Sequence, residues 1–67
     1  MSYMEFYLQK LSHENAQTRL RAAKLLASSR NPSALYRLKA LLPRETDPEV
    51  RLAMQQAIEQ LCDSLKK

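Results

Sequence analysis

Apolar residues recur every three or four positions along most of this chain, which is the spacing of one face of an α-helix. The opening segment shows the pattern with Met4, Tyr7, Leu8 and Leu11. Ser2 stands where a capping side chain would accept hydrogen bonds from the free N–H groups of the first turn. The pattern therefore predicts a helix that begins just after Ser2.

Short polar segments interrupt the periodicity and mark where further helices begin. Ser12 or Asn15 can cap a second helix. The pairs Asn31-Pro32 and Asp47-Pro48 join a capping residue to a proline, which fits the first helical position because its missing donor has no partner there. The predicted helices run over about residues 3–11, 15–29, 32–42 and 48–65.

Composition and loop length favour an all-α fold. The 67 residues contain no glycine, and 45% of them are hydrophobic. Tight turns between strands need residues that accept a positive φ angle, and only Asn15 and Asn31 are good candidates. The predicted connections are a few residues long, so consecutive helices must run antiparallel. The expected architecture is two antiparallel helical hairpins.

The two hairpins are related in sequence. Residues 17–26 align with residues 49–58 at a constant offset of 32, which pairs Arg19 with Arg51 and Leu20 with Leu52. Apolar positions of the first helices also match, at an offset of 31. A two-helix unit repeated about every thirty residues is typical of an α-solenoid. We predict one domain over residues 1–67, with a first repeat over about 2–29 and a second over about 31–65.

The segment Asn31–Leu61 resembles the short bacterial HEAT-like repeat that also occurs in phycobilisome lyase-type proteins. It carries Asn-Pro, spaced leucines, and then Asp-Pro-Glu-Val-Arg before an Ala-containing helix. The resemblance implies stacking of helical hairpins and says almost nothing about chemistry. It also implies that Arg19 and Arg51 turn back toward loop carbonyls and form a small ladder with Asp47.

One surface of the second helices is a candidate binding site. Leu20 and Leu52 lie about 180° from the centre of the predicted buried faces, so we expect them to protrude side by side. Polar residues surround them, namely Arg21, Lys24, Gln56 and Glu59. An apolar patch with a polar rim is the composition of a protein-binding surface. The alternative is that these leucines are ordinary surface helix formers.

Phe6 is a second candidate contact residue. It lies about 160° from the apolar face of the first helix, so the pattern leaves it on the surface. Exposed aromatic residues favour interfaces. The alternative is a shift in helix register that brings Phe6 into the core.

Candidate chemistry is sparse. The single histidine, His13, lies in a predicted loop beside Glu14 without a nucleophile or a third ligand at a recognisable spacing. The single cysteine, Cys62, lies on the flank of the last helix and excludes an internal disulfide. No Cys/His set suits zinc, and no glycine-rich loop suits a phosphate. We therefore predict no cofactor and no enzymatic activity, including the lyase type.

Net charge and hydropathy limit the classes of partner that this chain is expected to bind. Eleven basic and seven acidic residues give a net charge of +4, which is a mild bias toward acidic partners. A second hypothesis is therefore binding of nucleic-acid phosphates through basic residues of the second helices, namely Arg19, Arg21, Lys24 and Arg51. No apolar run has membrane-spanning length and the start does not read as a signal peptide, so we expect a cytoplasmic protein that does not bind membranes.

Two repeats are fewer than the three that a solenoid normally needs. The chain can be the N-terminal module of a longer protein, it can pair with a second copy by stacking ends or faces, or its four helices can close their own core. The leading functional hypothesis is a non-catalytic scaffold or regulatory module that binds a protein partner or itself through the second-helix face.

Overall fold

The computed structural model describes residues 3–66, with side chains from Met4 onward. Within this range the chain forms four α-helices and one short 3₁₀ helix. They are α1 (Tyr3–Lys10), α2 (Ala16–Leu26), α3 (Pro32–Leu41), the 3₁₀ helix (Leu42–Arg44) and α4 (Pro48–Leu65). The all-α prediction is confirmed. The predicted cap Ser2 lies outside the described residues.

Three helices begin at side-chain caps that the sequence predicts. Asn15 Oδ1 accepts the N–H groups of Gln17 at 2.9 Å and Thr18 at 3.3 Å, so Asn15 and not Ser12 caps α2. Asp47 caps α4 in the same way, and Asn31 caps α3. Each such cap stabilises a helix by about 1 kcal/mol, and the caps fix where the chain turns.

The second helix ends earlier than predicted. The periodic pattern extends to about residue 29, but α2 stops at Leu26 and a turn follows, in which Ser29 Oγ donates to the Leu26 carbonyl at 2.7 Å. The chain then adopts a positive φ of 57° at Arg30. Asn15 and Asn31, which we expected to be the residues suited to positive φ, are both extended. A left-handed conformation costs a residue with a Cβ atom about 1–2 kcal/mol.

The helices pack as two hairpins, with α1 against α2, α3 against α4, and α2 against α4. Five of the buried core residues are alanines, and α4 contributes the largest share of the core. The buried hydrophobic residues are Leu11, Ala22, Ala23, Leu26, Ala34, Leu38, Val50, Ala53, Met54, Ala57 and Leu61. The hairpins therefore share one core, and the joint between them is formed mainly by their second helices.

Candidate protein-binding surface

A buried charged joint connects the two hairpins at their loops. Arg19 Nε donates to Glu45 Oε1 at 2.8 Å and Arg19 Nη2 donates to Glu45 Oε2 at 3.0 Å. The two side chains are 17% and 4% exposed, respectively. This two-point geometry matches the fork of the guanidinium to the carboxylate. The joint fixes the first hairpin on the second.

The same loop architecture occurs in both repeats. Arg19 Nη1 donates to the His13 carbonyl at 2.8 Å, and Arg51 Nη1 donates to the Glu45 carbonyl at 3.0 Å, each reaching back six residues. The capping residues are also held alike. The N–H of Asn15 donates to His13 Nδ1 at 3.0 Å, and the N–H of Asp47 donates to Glu45 Oε2 at 3.0 Å. His13 and Glu45 thus occupy equivalent repeat positions, and the side chain of each accepts a hydrogen bond from the N–H of the capping residue.

The predicted acidic partner of the arginines is wrong. Both arginines do turn back to loop carbonyls, but the carboxylate that pairs with Arg19 belongs to Glu45. Asp47 uses Oδ1 to cap α4, accepting the N–H groups of Glu49 at 2.9 Å and Val50 at 3.2 Å. Sequence reasoning missed Glu45, although it precedes a cap by two residues, as His13 does in the first repeat.

The environment of Glu45 keeps it ionised. Burial raises the pKa of its carboxyl group, but the hydrogen bond from Arg19, the backbone N–H of Asp47, the positive charge of Arg19 and the backbone of Thr46 all lower it. The net effect holds the pKa of Glu45 below its ordinary value of 4.5. The group is therefore a charged structural anchor at neutral pH and a poor candidate for proton transfer.

The two candidate leucines occupy different environments, contrary to prediction. Leu52 is 54% exposed on α4. Leu20 is half-buried and packs against the core, because it lies on the side of α2 nearer the shared core. The pair does not protrude side by side. The surrounding candidates Arg21, Lys24, Gln56 and Glu59 are all exposed.

A groove between α1 and α2 contains the other candidate. Phe6 is 49% exposed there, as the sequence predicts. Its ring meets the Tyr7 ring edge-on with centroids 5.4 Å apart, and Lys10 Nζ lies 5.0 Å from its centroid. We call this surface the α1–α2 groove. Its lining residues are Phe6, Tyr7, Lys10, Thr18, Arg21, Ala22 and Leu25.

The exposure of two further apolar side chains was not predicted from the sequence. Leu25 is 51% exposed and Tyr36 is 74% exposed. Leu25 aligns with Ala57, which is buried on α4, and no prediction of the exposure of Leu25 was made from the sequence. The available signal was that α2 belongs to the first of the two hairpins, so that no other hairpin within residues 3–66 covers that face. Tyr36 lies on α3, and no sequence signal marks it.

Chemistry other than binding finds little support within residues 3–66. No group of three or more His, Cys, Asp or Glu side chains in this range could hold a metal ion. The Nδ1 atom of His13 already accepts the hydrogen bond from Asn15, and the half-buried thiol of Cys62 is free. None of the helices within residues 3–66 combines the length and the hydropathy of a membrane-spanning segment.

Comparison with known proteins identifies the architecture. The sequence model of HEAT repeats matches residues 4–66, which is nearly the whole chain. Searches of curated proteins and of solved structures find no match. The family match agrees with the stacked hairpins and with the loop contacts that recur in each repeat. The chain therefore belongs to the HEAT-repeat family.

Proposed function

We propose that this HEAT-repeat chain is a non-catalytic module that binds another protein through the outer surfaces of its second helices. HEAT repeats generally mediate protein–protein interaction. The observation that carries the proposal is the contrast in burial among the leucines. Leu11 and Leu38 are fully buried, whereas Leu25 and Leu52 are half exposed on a well-packed scaffold. Half-exposed large apolar side chains with polar neighbours are the composition of a binding surface.

Each exposed leucine has a polar rim on its own helix. Arg21 lies one turn before Leu25, and Gln56 lies one turn after Leu52. Lys24 and Glu59 extend these rims. The proposal therefore keeps the second helices as the binding elements but replaces Leu20 with Leu25 as the apolar contact on α2.

Nucleic-acid binding is the second candidate, and it is favoured by the exposed Arg21 and Lys24 and the half-buried Lys10. Arg19, however, is committed to Glu45 and the loop carbonyls, and Arg51 donates to a loop carbonyl. Two of the four basic residues in the original hypothesis are therefore occupied. The exposed residues of α4 also include Glu49, Glu59 and Asp63, which would repel phosphates.

Site-specific photo-crosslinking in cells of the source organism tests both candidates. A photoreactive amino acid is placed at position 25 or 52, with position 39 on α3 as the matched control because Lys39 is also exposed. We expect discrete adducts from positions 25 or 52 that protease removes and nuclease leaves intact. Nuclease-sensitive adducts would favour nucleic acid. Absence of adducts from both positions, or equal adducts from position 39, would contradict the proposal.

A further inference from the structure

The two repeats show which surfaces of the stack have no neighbouring helix within residues 3–66, because equivalent positions are buried in one repeat and exposed in the other. Leu25 is 51% exposed, while its equivalent Ala57 is 1% exposed. Arg21 is exposed, while its equivalent Ala53 is buried. Each second helix packs against the first helix of its own hairpin, so positions buried only in α4 are those that face α2. Arg21 and Leu25 therefore occupy the face where α2 would meet a preceding helix.

The opposite end of the stack has a different composition. The α2 positions buried or half-buried toward the second hairpin include Ala23 and Ala27. Their equivalents in α4 are Gln55 and Glu59, which are exposed. Polar substitution at contact positions is how a solenoid protects a terminal surface. The second-hairpin end is thus largely polar apart from Leu52, whereas the first-hairpin end keeps an apolar groove.

The α1–α2 groove combines apolar walls with a basic rim. Phe6 from α1 and Leu25 from α2 supply half-exposed apolar surface, and Ala22 lies between the helices at the floor. Lys10 and Arg21 line the same groove, and no acidic residue is among its lining residues. Lys24 lies on α2 one turn beyond Arg21. The field at this surface favours a negatively charged occupant.

We propose that the α1–α2 groove binds an α-helix of a partner protein that has a seam of small apolar residues and acidic residues on its flanks. This inference rests on the proposed function and specifies the partner. The occupant is a helix because the equivalent face of α4 holds α2. The apolar seam of the occupant consists of small side chains, because α2, which packs on the equivalent face of α4, has Ala23 and Ala27 at the corresponding positions. Its flanks are acidic because Lys10 and Arg21 stand on the rim.

A second copy of this chain fits the groove poorly. Two grooves face to face would bring the basic residues Lys10, Arg21 and Lys24 of both copies together. A head-to-tail stack would place the polar Gln55 and Glu59 of one copy against the apolar Leu25 of the next, which would cost desolvation of both side chains. Electrostatics and polar burial therefore both favour a different protein.

The test uses the full chain and two synthetic helical peptides of about 18 residues, long enough to form helix in water. Both peptides carry the same Ala/Leu seam. One has glutamates on its flanks and the other has lysines. Fluorescence anisotropy should give an affinity for the glutamate peptide at least about tenfold higher than for the lysine peptide, with the difference shrinking as salt rises.

Matched variants locate the binding. Leu25→Gln should lower the affinity for the glutamate peptide about tenfold, because it removes a leucine contact from the groove. Tyr36→Gln, which removes an exposed apolar side chain from α3, should leave the affinity unchanged. The charge-reversal variant Lys10→Glu with Arg21→Glu should prefer the lysine peptide. All of these positions are exposed or line the open groove, so circular dichroism should show retained helicity.

Several outcomes would overturn the inference. Equal affinity for the two peptides, or loss of binding in Tyr36→Gln but not in Leu25→Gln, would contradict it. A dimer in sedimentation equilibrium that Leu25→Gln dissociates would make a second copy the occupant. Protein adducts from position 52 without peptide binding would reject the groove and leave the proposed function standing. Absence of protein adducts from both positions 25 and 52 would reject the function itself.

Discussion

The buried joint between the hairpins gives the sharpest stability prediction, through the substitution Glu45→Gln. Glutamine keeps the size of the side chain and one carbonyl oxygen, but it loses the charge and replaces the second acceptor with a donor. Arg19 Nε, Arg19 Nη2 and the N–H of Asp47 then compete for the remaining oxygen. The guanidinium would be left partly buried without its counter-charge, because the Arg19 side chain is only 17% exposed.

The expected loss is about 2–3 kcal/mol. A hydrogen bond to a charged group contributes about 1.5–3 kcal/mol, and removing one partner of a buried ion pair costs about 3–5 kcal/mol. Glutamine retains part of the hydrogen bonding, which places the estimate at the lower end. Domains have free energies of unfolding of roughly 0.05–0.15 kcal/mol per residue, or about 3–10 kcal/mol for a chain of this length. The variant should therefore unfold at a clearly lower urea concentration.

The pH dependence provides an independent test of the same joint. Although burial raises the pKa of Glu45, the contacts from Arg19 and the loop N–H groups lower it below 4.5 overall. The unfolded chain therefore binds this proton more readily than the folded one. The stabilisation is fully present above the unfolded pKa and is lost as pH falls through the folded pKa. The difference between wild type and Glu45→Gln should shrink as pH falls below about 4.5.

Urea unfolding followed by circular dichroism at pH 7 and at about pH 3 measures both effects. Glu59→Gln is the matched control, because Glu59 is exposed, and it should change stability by less than about 0.5 kcal/mol. A double-mutant cycle with Arg19→Gln should give a coupling energy above about 1 kcal/mol. A loss under about 0.5 kcal/mol for Glu45→Gln, or additive effects in the cycle, would refute the role of the joint.

Two other substitutions test further features of the fold. Arg30→Gly should stabilise the protein by about 0.5–1 kcal/mol, because relief of the left-handed strain exceeds the added entropy of glycine in the unfolded chain; a lower melting temperature would contradict this. Leu20→Gln should destabilise by about 1–2 kcal/mol and Leu52→Gln by less than about 0.5 kcal/mol, because only Leu20 packs on the core. Equal losses of stability for the two variants in thermal unfolding would instead support the prediction that Leu20 and Leu52 are equally exposed.

Most of the helix predictions rested on residues that are close together in the sequence. The caps at Asn15, Asn31 and Asp47 are contacts within two or three residues, so they can be inferred from neighbouring letters. The Arg19–Glu45 pair spans 26 residues and depends on how the hairpins meet. The resemblance to HEAT-like repeats identified the arginines as loop-binding residues, but it assigned their acidic partner to Asp47, two residues after the Glu45 that pairs with Arg19.

On the candidate surface, residues at equivalent repeat positions differ in exposure, so repeat equivalence alone does not predict which side chains are exposed. Leu20 and Leu52 share a repeat position, but a following hairpin packs beside Leu20 and none packs beside Leu52 within residues 3–66. The reverse holds for Leu25 and Ala57. Helical periodicity gives the angle of a residue around its own helix. It does not say which neighbouring helix is present, and exposure depends on that neighbour.

We propose that the α1–α2 groove at the first-hairpin end receives a helix of a partner protein. The most direct measurement is the map of backbone amide chemical-shift changes when the glutamate-flanked peptide is added to the isotope-labelled chain. We predict that the largest changes lie at α1–α2 groove residues such as Phe6, Lys10 and Leu25, while α3 around Tyr36 stays unchanged. Changes centred on α3 or on Leu52, or no changes at saturating peptide, would contradict the account.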